Sequence, residues 1–190
     1  MKIAVCIGHS RTGDDGAVSA DGKKTEWAFN QPIGKRVVAD LIRAGHDAVL
    51  VDRYEGQGYT AAMRWLAEHL RSLGIEAAVE LHFNASDNPN AEGHEWLHWH
   101  NSIRGRSLAL NLERSYARIM DTSKRRGVKP LDRASRGAEF VSRTHCPAVI
   151  CEPFFGTNIF EWRKAEWQDY MIVGAISRGI IEWAKGEGKR

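Results

Sequence analysis

Short apolar runs alternate along this chain with stretches whose apolar residues recur every three or four positions, a pattern that predicts strands interleaved with helices. Lys2 to Ile7 is a compact apolar run ending at Gly8-His9, which reads as a buried strand entering a loop. Residues 10–24 are rich in Gly, Asp and Ser and read as that loop. Thr25 is placed to cap the helix that follows, whose apolar stripe is Val37, Val38, Leu41 and Ile42 and whose stop is Gly45. Pro32 should kink this helix or shorten its first turn. Asp47 to Asp52 is a second strand, and Tyr59 to Leu73 a helix with Met63, Leu66, Leu70 and Leu73 in register, ended by Gly74. Ala77 to Phe83 is a third strand, followed by turn residues from Asn84 to Pro89. His94 to His100 reads as a fourth strand, with Ser102 placed to cap a helix over Arg104 to Asp121. Glu139 to Ser142 is expected as a short fifth strand, Ala148 to Cys151 as a sixth, and Glu161 to Lys185 as one long closing helix. The expected fold is therefore α/β: a single three-layer domain over residues 1–185, with a mixed, mostly parallel sheet of about six strands and helices on both faces. Residues 186–190 are expected to form a frayed tail.

Composition narrows the function. With 190 residues and 43% hydrophobic content the chain can bury one good core. A net charge of +3 is too small to argue nucleic-acid binding, and no aromatic-rich RNA motif or zinc-finger spacing accompanies it. Basic residues do concentrate between Arg104 and Arg143, including Lys124-Arg125-Arg126; they read either as a solvated helix end and loop or as an attraction toward an anionic polymer or membrane surface. No apolar run approaches the length of a membrane span. Cys6 and Cys151 lie inside apolar runs, where a buried reduced thiol is the default, which suggests synthesis in a reducing compartment. The apolar part of the N-terminus is too short for a secretory signal, so the protein is expected to be made in the cytoplasm without one.

Candidate chemistry gathers at the strand ends. His9 follows the first strand, Glu26 opens the first helix and His82 ends the third strand. In open α/β sheets, groups at the carboxyl ends of strands converge on one edge. Two imidazoles and a carboxylate make a three-donor zinc set with a fourth position for water. Glu152, after the last strand, would face the same edge, where a carboxylate can take a proton from that water and return it to a leaving amine. Singly, each has a plainer reading: a hydrogen-bonded strand-end His, a Glu favoured by a helix dipole, a surface Glu.

The segments IGHS, GA, TEW, LHFNAS and PAVICEPFFGTN together resemble the zinc-dependent N-acetylmuramoyl-L-alanine amidases of type 3, in order and over nearly the whole chain. The matching elements are Gly8-His9, Glu26, His82-Phe83-Asn84-Ala85, and Pro147-Ala148 through Glu152 with Asn158. The resemblance implies zinc ligation by His9, Glu26 and His82, general-base catalysis by Glu152, and cleavage of the bond between N-acetylmuramic acid and L-alanine in peptidoglycan. Asn84, Asn158 and His94 are the candidates for contact with substrate. Ser10 stands where the family often has Gly after the first His, and Pro153 where Gly usually follows the catalytic Glu. Size and the missing signal further resemble a phage endolysin, made in the host cytoplasm, reaching the wall after release and acting as a monomer.

One motif competes. His94-Glu95-Trp96-Leu97-His98 matches the H-E-x-x-H signature of zinc metalloproteases, which requires a helix to put both histidines beside one ion. On a strand they stand roughly 13 Å apart and cannot share it. Gly93, the break at Asn88-Pro89 and the aromatic content favour a strand here. A carboxypeptidase-like zinc enzyme lacks its closely spaced His-x-x-Glu pair, and a catalytically dead wall-binding module would be favoured by loss of one of the four residues, all of which are present.

Overall fold

A computed structural model of the protein describes residues 1–120 and 124–187. Its elements run β1 (Lys2–Ile7), α1 (Glu26–Arg43), β2 (Asp47–Val51), α2 (Tyr59–Ser72), β3 (Ala77–Leu81), β4 (His94–Trp99), α3 (Ile103–Met120), β5 (Arg125–Leu131), α4 (Glu139–Arg143), β6 (Ala148–Glu152), α5 (Ile159–Trp167) and α6 (Asp169–Glu187). The six strands form one sheet in the order β2-β1-β3-β6-β4-β5. The first four are mutually parallel, β4 runs antiparallel to β6, and β5 is parallel to β4.

Strand alternation divides the core. Ile3, Val5 and Ile7 pack with Val37 and Leu41 of α1, Leu108 and Leu112 of α3, and Ile172, Ile176 and Ile180 of α6. Ala4 and Cys6 point the other way, toward Met63, Leu66 and Leu70 of α2 and Phe140 and Val141 of α4. Because both faces are covered, the central strands read as continuous apolar runs. The helices thus occupy both faces, as the sequence predicts. All three cysteines are unpaired, with Cys6 and Cys151 buried.

Several elements differ from expectation. Glu139–Arg143 is a helical turn, not a strand; a Glu139–Arg143 ion pair at i,i+4 braces it, and its two buried residues are adjacent, too short a signal to fix a period. The fifth strand is instead Arg125–Leu131, built from the basic run read as helix end and loop. Arg, Lys, Gly and Pro are poor strand formers, but β5 is the sheet edge, where charge and Pro are tolerated and protect against further pairing. The closing helix is two helices, broken at Gln168, where Asp169 opens α6 and pairs with Arg36 of α1. The first helix passes through Pro32 without interruption, so the expected shortening is absent. Gly186 and Glu187 belong to α6 rather than a tail, and Glu187 accepts a hydrogen bond from Arg104; residues 188–190, and the expected helix end at Asp121, lie outside the described residues.

α3 and α6 pack closely because Gly179 faces Leu112: a Cβ at Gly179 would lie 2.8 Å from the Leu112 Cα. At Gly174, in the same helix, a Cβ meets nothing within 4 Å. Gly174→Ala is expected to stabilise the protein by about 0.5–1 kcal/mol through helix propensity and unfolded-state entropy. Gly179→Ala should lower stability by about 1–3 kcal/mol despite the same propensity gain, because overpacking wins. Paired denaturant titrations read both signs.

Candidate active site

Each donor at the carboxyl edge is fixed by local structure. His9 leaves β1 with φ 58°, the one non-glycine positive φ among the described residues, which turns its ring back over the edge. Its Nδ1 lies 2.8 Å from Asp14 Oδ1, and the other Asp14 oxygen accepts from Arg11 at 2.7 Å. Burial alone would raise the Asp14 carboxyl, but His9 and Arg11 outweigh it and hold the group below its usual range. Glu26 is the first residue of α1, behind the Thr25 cap, which accepts from the Ala28 N–H, and only 4% of it is exposed. A buried anion at a helix N-terminus is favoured by the free N–H groups and the dipole. Backbone N–H groups of Phe83 and Ala17 donate to its two oxygens, at 3.1 and 3.3 Å.

His82 follows β3 directly, with Nδ1 2.7 Å from Glu26 Oε1. Its ring fits because residue 8 is glycine: a Cβ there would come within 2.2 Å of the imidazole. His9 Nε2 completes the group 3.5 Å from Glu26 Oε2, and one donor atom from each of His9, Glu26 and His82 lies within 4.8 Å of the others. Burial works against a charged His82, yet its bonds to Glu26 and Glu80 prevail and push its pKa up. Two imidazoles and a carboxylate, each held by further hydrogen bonds, fit a divalent metal ion that takes nitrogen and oxygen donors.

Glu152 ends β6, opposite Glu95 of β4 in the antiparallel register. Its Oε2 is buried with no hydrogen-bond partner among the described residues. Burial raises its pKa to about 8; His82 pulls it down, while Glu26, Glu95 and Glu80 add to the rise. Glu95 differs, since Lys129 and Arg126 more than offset its burial and hold its carboxyl low. The basic residues of β5 and Lys124 just before it are thus largely committed to local pairs, including Arg125 with Glu113 and Lys124 with Glu92. Asp14, Glu80 and Tyr54 are site residues that sequence reasoning missed, and Glu95, read there only as part of the H-E-x-x-H motif, sits at the site through Asn84 and β5. For the three missed residues the visible signal was Glu80, a carboxylate interrupting the apolar run AAVELHF.

The substrate candidates separate. Asn84 sits at the site and donates to Glu95 at 2.9 Å. Asn158 does not line the site as a free contact: it is buried, caps α5 by accepting from the Phe160 and Glu161 N–H groups, and donates to the Ala91 carbonyl. His94 is a correction as well. It is fully buried against Tyr116 and Trp96, accepts from the Trp96 indole at 3.0 Å, and is driven to a pKa of about 4 by burial and Arg125. The whole H-E-x-x-H segment lies on β4, so His94 and His98 stand apart in the core layer. On the opposite flank, His9, Trp27, Arg53, Tyr54 and Trp65 border an open cleft of about 550 Å³.

Three side chains that could hold a divalent ion, beside a buried carboxylate with no partner for one oxygen among the described residues, stand at the carboxyl edge of an α/β sheet, an arrangement suited to hydrolysis. The N-acetylmuramoyl-L-alanine amidase family model matches residues 3–182, and the chain belongs to that family. It is an enzyme of peptidoglycan amide hydrolysis. Among solved structures it is similar to the amidase AmiC2 of Nostoc punctiforme (26% identity, TM-score 0.78, covering 97% of each chain). The fold also matches the CwlD amidase of Clostridioides difficile, solved with the GerS lipoprotein (20%, 0.85, 97% of this chain and 98% of that one). A third match is the catalytic domain of the CD27L endolysin, which targets C. difficile (21%, 0.78, 96% and 97%). No curated protein matches the chain.

Two outcomes follow for the metal-free and metal-loaded protein. His9→Ala is expected to weaken divalent-metal binding by more than the roughly 10–100-fold that loss of an outer partner costs, while His94→Ala lowers stability and leaves affinity unchanged. Chelator competition measures both. Glu152 is protonated in the folded metal-free protein up to a pH of about 8 but ionises near the ordinary carboxylate value of 4.5 when unfolded. Below that window both states are protonated; through it the unfolded chain alone releases the proton, so stability falls as pH rises, and above it the loss is complete. Glu152→Gln should therefore match the metal-free wild type in Tm near pH 4.5 and exceed it increasingly toward pH 8.

Proposed function

We propose that this chain is a zinc amidase in which His9, Glu26 and His82 hold the ion and Glu152 is the general base. The observation that carries the reading is the closed donor triangle at one sheet edge, with a Glu152 oxygen on the neighbouring strand that has no partner among the described residues. Residues 1–185 form the catalytic unit, acting as a monomer on the bond between N-acetylmuramic acid and L-alanine. When bound, zinc would acidify a water molecule and polarise the scissile carbonyl.

The protein's own residues do the rest. Glu152 takes a proton from the attacking water as the new carbon–oxygen bond forms, then gives it to the alanine nitrogen as the carbon–nitrogen bond breaks. Its burial suits the second half, because a buried carboxyl favours the neutral form that must carry the proton until the amine departs. Glu95, Arg126 and Lys129 form a charged wall on one side, while Trp27 and Trp65 give the cleft beside His9 apolar surface for a sugar ring or stem peptide. We read the enzyme further as a phage lysis protein, made in the host cytoplasm and acting on the wall after release. Its unpaired cysteines suit folding in a reducing compartment.

On purified peptidoglycan the enzyme is expected to release new L-alanine amines with no new reducing sugar ends, to stop with chelator and to recover with zinc. New sugar ends would contradict the assignment. Glu152→Gln should keep its zinc and lose kcat by about 10²–10⁴-fold; full activity in that variant would remove Glu152 as the base.

A further inference from the structure

The central strand β3 carries a carboxylate that the amide hydrolysis above does not use. Glu80 is 4% exposed, flanked in register by Cys6 on β1 and Ile150 on β6. A charge at such a position is expensive unless it is paired and hydrogen-bonded. Among the described residues two side chains reach it. The Tyr54 hydroxyl, itself buried, donates to Glu80 Oε1 at 2.9 Å, and His82 Nε2 lies 3.2 Å from Glu80 Oε2. The geometry points to Glu80, held by Tyr54, as the residue that positions His82 for metal binding.

The reasoning is one of tautomer and direction. An imidazole offers one lone pair only when its other nitrogen carries the proton. The His82 nitrogen that faces Glu26 and the donor triangle is Nδ1, so the proton belongs on Nε2, where Glu80 accepts it. His9 shows the same arrangement reversed: Nε2 faces Glu26 and Nδ1 faces Asp14. Each imidazole thus has a carboxylate behind it. The His82 brace lies on the rigid central strand, whereas the His9 brace lies on a loop. Such outer carboxylates fix ring orientation and raise ligand basicity. Tyr54, just beyond β2, leaves Glu80 one oxygen free for His82, so the three side chains form a line from the β2 flank to the metal set. Glu80 touches neither substrate nor reacting atoms on this reading and is a positioning residue.

The inference rests on the metal-site reading above, and zinc affinity separates the two. Zinc dissociation constants are measured by competition with a chromogenic chelator on wild type, Glu80→Gln, Glu80→Met and the Tyr54→Phe/Glu80→Met pair, with circular dichroism and Tm on each metal-free protein. Expected is a 10–100-fold loss of affinity in both Met variants, a smaller loss in Glu80→Gln, whose amide oxygen still accepts from Nε2–H, and an unchanged or higher Tm in the double variant. In zinc-loaded wild type, ¹⁵N-detected imidazole spectra should show His82 protonated at Nε2. Folded Met variants that bind zinc as tightly as wild type, or His82 protonated at Nδ1, would overturn the positioning role while leaving the metal site standing. A wild type that binds no divalent ion would overturn both.

Discussion

Everything at this site depends on the placement of one carboxylate. Glu26 must be buried and aimed between two imidazoles, and three features of the chain make that possible. The N-terminus of α1 supplies a favourable field, the Phe83 and Ala17 amides hold its two oxygens, and the loop before Thr25 closes over it. Because Phe83 follows His82, the amide that orients Glu26 and the imidazole beside it move as one unit. The sheet turns this local arrangement into a rigid one: β1 and β3 are hydrogen-bonded neighbours, so His9 and His82 leave adjacent strands at the same edge.

That concentration of carboxylates creates an electrostatic problem, solved differently for each group. Glu26 is relieved by amides and imidazoles, Asp14 by Arg11, and Glu95 by Arg126 and Lys129. Glu80 has Tyr54 and His82. Glu152 is the carboxylate of this group with a buried oxygen and no donor among the described residues, and its pKa rises to about 8. A carboxylate left unsatisfied among satisfied ones is poised to take and return a proton, the behaviour general-base catalysis requires.

Much of this was legible in the residues. The apolar runs at Lys2–Ile7 and Ala77–Leu81 are long and bounded by clear loops, so the strands could be placed, with His9 and His82 beyond their carboxyl ends. H-E-x-x-H could be set aside because strand geometry separates its histidines. What was illegible came from tertiary context. Edge position lets the basic, Pro-containing β5 be a strand, and packing on α2 makes a five-residue helix of Glu139–Arg143. The break at Gln168 carries no Gly or Pro to announce it. His94 looked like a groove residue because the strand's facing is set by Trp96 and Tyr116, contacts that no local pattern encodes. Glu80 was readable as an anomaly, but its partners Tyr54 and His82 come from other segments.

The central claim is that one zinc ion is held by His9, Glu26 and His82. X-ray absorption and anomalous diffraction at the zinc edge of the loaded protein test it directly. The account predicts one ion per chain, bound by two imidazole nitrogens and a carboxylate oxygen at about 2.0–2.2 Å, with the anomalous peak among these three residues. A sulfur scatterer in the absorption spectrum, or a peak beside His94 and His98, would contradict it.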